Sequence, residues 1–335
     1  MKWFKILFLN TVFLGTLISI SSYSWFAMWI GLEMNLLSFI PLMNEKLSKS
    51  SEASLKYFII QAIASTFILF SILMMISLNE CMKFMEYPFS MIMNSAFLTK
   101  MGAAPFHFWF PEIIEGLSWM NCLILLTWQK IAPMILLMYN FNSTFFFSVI
   151  IILSMIISGI LNWNQMSIKK FLAFSSMNHM GWMLGMMYFS HSNWIYYFII
   201  YSFISIMMII LFDYFSITHF SQLFLILNEN KNLKLFFMLN LFSLGGLPPF
   251  LGFFPKWMVL KNLVESNLNF LAFIMIFATL IMIFSYIRLA LNALTIKTTE
   301  SKIMNSASST NFNFTYLANF MNLTGLVGFS IFLNY

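Results

Sequence analysis

Apolar residues run along this chain in long blocks separated by short polar joints. Eleven blocks approach or exceed the roughly 20 residues that a helix needs to cross a bilayer core. They cover about 4–22, 24–43, 55–78, 88–110, 119–139, 144–163, 170–189, 194–214, 235–265, 269–291 and 312–334. The pattern predicts an all-α polytopic membrane protein of about eleven transmembrane helices, with almost no chain outside the bilayer. Two stretches are too long for one straight crossing. Residues 88–117 and 235–265 would each extend about 45 Å as a continuous helix. Each holds glycine and proline near its middle. Aligned, they read GAAPFHFWFP at 102–111 and GLPPFLGFFP at 246–255. The glycine, the fourth-position proline, the next phenylalanine and the closing Phe-Pro coincide, with Trp109 set against Phe253. The second copy lies 144 residues and five predicted helices further along the chain, and an odd offset reverses the direction of travel. Interrupted helices at matching places in two halves of opposite topology are the mark of a transporter core.

Composition narrows the class further. The chain is 61% hydrophobic and 8% charged, with 42 Phe and 29 Met. A soluble domain carries roughly 25% charged residues, so a soluble enzyme and a nucleic-acid-binding domain are excluded. The net charge of +6 comes from scattered single lysines and is no polyanion-binding patch. Loop lysines gather on the N-terminal side: Lys2, Lys5, Lys46, Lys49, Lys56, Lys169, Lys170, Lys231, Lys234, Lys297 and Lys302, against Lys83 and Lys261 opposite. Basic loops face the compartment of synthesis, so the N-terminus is expected there. The start, Met1-Lys2-Trp3-Phe4-Lys5, leads straight into the first span, without a cleavage pattern or an Arg-rich import segment.

Four charges interrupt or border apolar sequence: Glu33, Lys100, Lys130 and Lys256. Lys100 precedes the first Gly-Pro break, Lys256 follows the second, and Lys130 sits mid-way along a span read as unbroken. An ionised side chain at the bilayer centre costs about 2.5–3.5 kcal/mol on insertion scales. Burial disfavours the charged form of such a group, and a nearby opposite charge restores it. A lysine held between these tendencies can take up and release a proton when its surroundings change. The static alternative is an interhelical ion pair, but three lysines and one glutamate allow only one neutral pair. His107, in the first break, and His179, in the run 171–187 with Ser175, Ser176 and Asn178, are weaker pathway candidates. Either also fits a hydrogen-bonded packing role. Cys81 and Cys122 read as apolar filler. No His/Cys/Asp/Glu cluster has metal-ligand spacing. Gly245-Gly246 follows no strand and is no dinucleotide loop. Neither a metal nor a redox cofactor is expected in the chain.

Several motifs together resemble one family. They are Gly31-Leu32-Glu33-Met34-Asn35-Leu36-Leu37-Ser38-Phe39-Ile40-Pro41, Glu52-Ala53-Ser54-Leu55-Lys56-Tyr57-Phe58, Ala103-Ala104-Pro105-Phe106-His107-Phe108-Trp109 and Thr127-Trp128-Gln129-Lys130. Asn178-His179-Met180-Gly181-Trp182, Ser243-Leu244-Gly245-Gly246-Leu247-Pro248-Pro249-Phe250 and Pro255-Lys256-Trp257 complete the set. In order and spread this resembles the NADH dehydrogenase (ubiquinone) subunit 2 family, from the membrane arm of mitochondrial respiratory complex I.

The resemblance implies one antiporter-like proton-translocating domain over 1–335. Its two inverted five-helix repeats would cover about 4–139 and 144–291, with a C-terminal helix at about 312–334. It implies that Glu33 and Lys100 pair in the first half, that Lys130 bridges the halves, and that Lys256 stands at the distal end. It also implies multi-pass insertion in the mitochondrial inner membrane with the N-terminus on the matrix side. The expected partners are other membrane-arm subunits, including a neighbouring antiporter-like one, and membrane lipids, not nucleic acid. NADH, flavin, iron–sulfur clusters and ubiquinone would belong to other subunits. The rival readings are a free-standing cation/proton antiporter and a structural scaffold with inert charges.

Overall fold

The computed structural model describes residues 3–45, 48–78, 86–141, 143–189, 191–229 and 231–295, with the single positions 320, 322 and 325. Among the described residues there is no strand, only an isolated bridge between Ser167 and His219. The chain forms two compact units, Met1–Leu153 and Ser154–Tyr335.

In the first unit, α1 (Trp3–Ser21), α2 (Trp25–Met43) and α3 (Ser48–Leu78) are long apolar helices. Ser24 starts α2 by accepting the Ala27 N–H at 3.3 Å, which satisfies one orphan donor of the first turn. α1 and α2 touch backbone to backbone at Gly15 and Gly31. A methyl on Gly31 would lie 2.6 Å from the Ser19 nitrogen and 2.9 Å from the Gly15 oxygen. Small residues permit this approach where no hydrophobic effect drives helices together. Leu7, Leu14 and Leu17 stay exposed on α1, as suits a face toward lipid. The unit continues with α4 (Glu86–Met101), α5 (Trp109–Gly116), α6 (Trp119–Leu126) and α7 (Trp128–Tyr139). α8 (Thr144–Asn162) follows.

The second unit is built around α9 (Ile168–Met187), in which 18 of 20 residues are buried. A helix buried on all sides needs no polar stripe. α9 is accordingly free to carry Ser175, Ser176, Asn178 and His179 inside. α10 (His191–Tyr214), α12 (Lys231–Gly245), α13 (Phe253–Glu265) and α14 (Asn269–Thr295) complete the long elements.

Seven stretches among the described residues are long and apolar enough to cross a membrane: α1, α2, α3, 119–139, α8, most of α10, and α14. The remaining expected crossings within the described residues are α9 and the two Gly-Pro segments. The block at 312–334 falls almost wholly outside the described residues.

The structure departs from the sequence expectation at two places. The span around Lys130 is not unbroken: α6 and α7 are separated at Thr127, with φ −113° and ψ −73°. The Thr127 hydroxyl turns back onto the Leu123 carbonyl at 2.7 Å, a bond that bends helices. Pro133 leaves the Gln129 carbonyl without its usual donor. A further helix, α11 (Phe220–Glu229), occupies sequence read as a joint. It is only ten residues long, and it buries Phe220, Leu223 and Leu227 on one face.

Candidate functional site

Both Gly-Pro segments are interrupted, and in the same way. α4 stops at Met101 and α5 starts at Trp109; α12 stops at Gly245 and α13 starts at Phe253. Gly102 and Gly246 take left-handed conformations, φ +73° and +74°, which glycine adopts without a Cβ clash. Each closes a Schellman motif. In the first break Gly102 N–H donates to Thr99 O at 3.1 Å and Ala103 N–H to Leu98 O at 3.0 Å. In the second, Gly246 N–H donates to Ser243 O at 3.0 Å and Leu247 N–H to Phe242 O at 3.2 Å. Phe106 to Ala103 and Phe250 to Leu247 follow, both at 2.9 Å. Ala104–Pro105 and Pro248–Pro249 are both cis. Pro111 and Pro255 fall in the first turns of α5 and α13, where a missing N–H is harmless.

The Schellman turn leaves further helix-end carbonyls over, and the two units satisfy them differently. In the first, Gln61 Nε2 donates to the Lys100 carbonyl at 3.3 Å. In the second, the Lys256 ammonium takes that role, donating to Gly245 O at 2.6 Å and Leu244 O at 3.4 Å. Gly246 makes room for it: a methyl there would lie 2.7 Å from Lys256 Cδ and 3.0 Å from its Nζ. The Lys256 ammonium also stands 5.9 Å over the Trp182 ring. Lys100, relieved of capping, lines a cavity of ≈ 20 Å³ with Asn35, Tyr57, Gln61 and Gln129. That is room for about one water molecule. Lys100, in the last turn of α4, and the Lys256 ammonium, which reaches from α13 to the end of α12, both meet negative helix ends, which favour a cation.

Lys130 is 1% exposed, more deeply buried than Lys100 at 8% or Lys256 at 9%. Its ammonium lies 5.4 Å over the Phe110 ring. It occupies the first turn of α7, the helix end that disfavours a positive charge. Glu33 is only half-buried. No ion pair within 4.0 Å joins it to Lys100, so the expected contact is not closed. His107 is 3% exposed and stacks on Phe108; its Nε2 is buried without a hydrogen-bond partner. His179 Nδ1 lies 3.0 Å from the Tyr197 hydroxyl.

Neutral polar residues complete both clusters. Asn35 and Gln129 form a reciprocal amide pair, with both hydrogen bonds at 2.9 Å. It ties α2 to α7 beside Lys100 and one residue before Lys130. In the second unit, Tyr201 lies by Ser176 and Tyr286 by Ser175. These tyrosines and serines are all at most 3% exposed. They surround α9 near His179, whose ring lies 5.1 Å from that of Tyr201. Asn35 and Gln129 stand inside the quoted motifs, and that was their only signal. Tyr201 and Tyr286 gave none.

The amide pair yields a testable separation of structure from function. Gln129→Leu strands a buried amide at a cost of about 1–3 kcal/mol and is expected to lower both heat stability and proton transfer. Asn35→Leu combined with Gln129→Leu is expected to restore stability but not proton transfer. Thermal denaturation and pumping assays on the same membranes check this. Recovery of both together would make the pair purely structural.

Sequence comparison agrees with this architecture. The family profile described as NADH:quinone oxidoreductase/Mrp antiporter, TM, matches residues 22–282. NADH-ubiquinone oxidoreductase chain 2 of Anopheles gambiae is 46% identical over 330 residues, covering 97% of this chain and 96% of its own. The chain belongs to the NADH-ubiquinone oxidoreductase chain 2 family. The Aedes aegypti chain 2 is 48% identical over 93% of both chains. Among solved structures, a chain of respiratory complex I from Thermus thermophilus superposes with TM-score 0.87 at 20% identity, over 98% of this chain and 79% of its own. A chain of the Mrp complex from Dietzia gives 0.79 at 13% identity, over 97% and 75%. At such identities these likenesses concern the fold. This chain therefore has the helical fold of those two chains, and its Lys100, Lys130 and Lys256 are buried.

Proposed function

We propose that this chain is a core membrane subunit of proton-pumping NADH:ubiquinone oxidoreductase, complex I, in the mitochondrial inner membrane. In this reading it crosses the membrane many times, with its N-terminus on the matrix side, and moves protons in an antiporter-like manner. NADH oxidation and ubiquinone reduction, with flavin and iron–sulfur clusters, take place in other subunits. Its partners are the remaining membrane-arm subunits, including a neighbouring antiporter-like one.

One observation carries the proposal. Three lysines are buried at or beside helix interruptions in a chain that matches a complex I chain 2 along nearly its whole length. Ionisable groups at that depth mark ion pathways, and interrupted helices supply the free backbone groups that line them. The matching hydrogen bonds at residues 98–106 and 242–250 support the reading of two repeats. In the proposed pathway Glu33 and Lys100 act as a pair. A water in the cavity beside Gln129 links Lys100 toward Lys130, and Lys256 passes charge to the next subunit. His107 and His179 extend the pathway, His179 through the Tyr197 hydroxyl.

A free-standing cation/proton antiporter would use the same lysines. Affinity purification through a tag on this chain separates the two readings. A complex I subunit is expected to bring down an assembly that oxidises NADH and reduces ubiquinone. Recovery of the chain alone, active in cation/proton exchange, would overturn the proposal.

A further inference from the structure

In the second unit an open cleft of ≈ 340 Å³ lies between the end of α8, the loop that follows it, the start of α11 and the last turns of α14. Its position is distinctive. α8, a span long and apolar enough to cross a membrane, ends at Asn162, and in the multi-pass reading the cleft lies at the level of that end.

Its lining is chemically mixed. Arg288, the only arginine in the chain, forms an exposed wall, and no acidic residue lines the cleft. One guanidinium N–H reaches the Trp163 carbonyl at 3.5 Å, and the fork carries five N–H donors in all. Trp163, Phe220 and Phe224 supply apolar walls. Asn162, 2% exposed, is the polar residue deepest in the lining. Its orientation is fixed. Ser285 Oγ gives its proton to Met282 O at 2.7 Å and so must accept from Asn162 Nδ2 at 3.1 Å. Asn162 Oδ1 is thereby left buried without a hydrogen-bond partner, an omission that buried polar groups rarely tolerate.

A ligand suited to this cleft needs an anion for Arg288, an N–H or O–H donor for Asn162, and apolar bulk for the aromatic walls. We propose that the cleft binds the headgroup of a membrane phospholipid carrying a phosphate and a hydrogen-bond donor, such as ethanolamine or glycerol. Arginine and phosphate form charge-assisted, often bidentate hydrogen bonds. A choline headgroup offers the phosphate but no donor, so the site should discriminate against it.

The test uses the assembled complex in lipid nanodiscs, with a phosphatidylethanolamine that is photoreactive near its headgroup. Label is expected on peptides spanning 163–171 and 285–292. Unlabelled phosphatidylethanolamine should compete roughly ten-fold better than phosphatidylcholine, the worth of about one hydrogen bond to a charged or buried group. Inorganic phosphate should not compete. Arg288→Leu should reduce labelling by roughly ten-fold in complexes that still assemble. Absence of label from these peptides in the wild-type complex would overturn the site. Equal competition by the two lipids would overturn the donor requirement, and undiminished labelling of Arg288→Leu the role of the arginine. Competition by phosphate alone would make the cleft a free-anion site. Where Arg288→Leu does not assemble, the wild-type label map and the lipid comparison still decide.

Discussion

Replacing Lys130 by arginine is expected to abolish proton pumping as completely as replacing it by methionine. Methionine keeps the apolar stem and removes the titrating group. Arginine keeps the charge but does not deprotonate in proteins. A relay needs a group that exists in both states, so each variant should lower pumping by roughly a hundred-fold, the low end of what a positioned proton-transfer group contributes. A static structural cation predicts otherwise: arginine tolerated, methionine harmful. Lys130 is the sharpest place to ask because it is more buried than Lys100 or Lys256 and sits at the wrong end of a helix for a permanent charge. Native electrophoresis must show that both variants assemble. NADH-driven acidification then decides, and a fully active Lys130→Arg complex would exclude the relay role.

The second large effect is expected at Gly246, which carries no chemistry of its own. Gly246→Ala places a methyl 2.7 Å from Lys256 Cδ at a backbone φ of +74°. Left-handed backbone costs a residue with a Cβ about 1–2 kcal/mol. Relief of the contact must also drag the ammonium off the Gly245 and Leu244 carbonyls. Turnover of the assembled complex is expected to fall by roughly ten-fold, with Lys256 still present. Gly245→Ala is the matched control: its methyl would meet Tyr286 at 3.4 Å and Ile283 at 3.6 Å, ordinary contact distances, so a much smaller effect is expected. Equal turnover of the two variants, measured as NADH:ubiquinone reductase activity, would detach the Lys256 position from function.

Much of this arrangement was legible in the sequence, for physical reasons. A lysine in apolar surroundings is costly, and a Gly-Pro pair cannot continue a helix, so both stood out against a background of Phe, Leu, Ile and Met. The breaks at Gly102 and Gly246 and the burial of Lys100, Lys130 and Lys256 appear in the structure accordingly. The interruption at Thr127 was hidden because threonine is common inside helices, and only its bond to Leu123 shows what it does. The helix Phe220–Glu229 was hidden because it is too short to raise a span signal. Asn35, Gln61, Tyr201 and Tyr286 are neutral, so their burial carries a penalty that a single hydrogen bond offsets, and no composition rule flags them. Glu33 was placed on the right helix, but its distance from Lys100 depends on side-chain geometry that spacing along the chain does not encode.

The central claim is that the three buried lysines together carry protons through this subunit. The most direct measurement compares wild-type complex with a Lys100→Met, Lys130→Met, Lys256→Met triple variant, both reconstituted in vesicles, recording NADH oxidation and proton uptake together. The triple variant is expected to assemble, with proton translocation, and the turnover coupled to it, reduced to a small fraction of wild type. An assembled triple variant with the wild-type rate and the wild-type number of protons per NADH would contradict it.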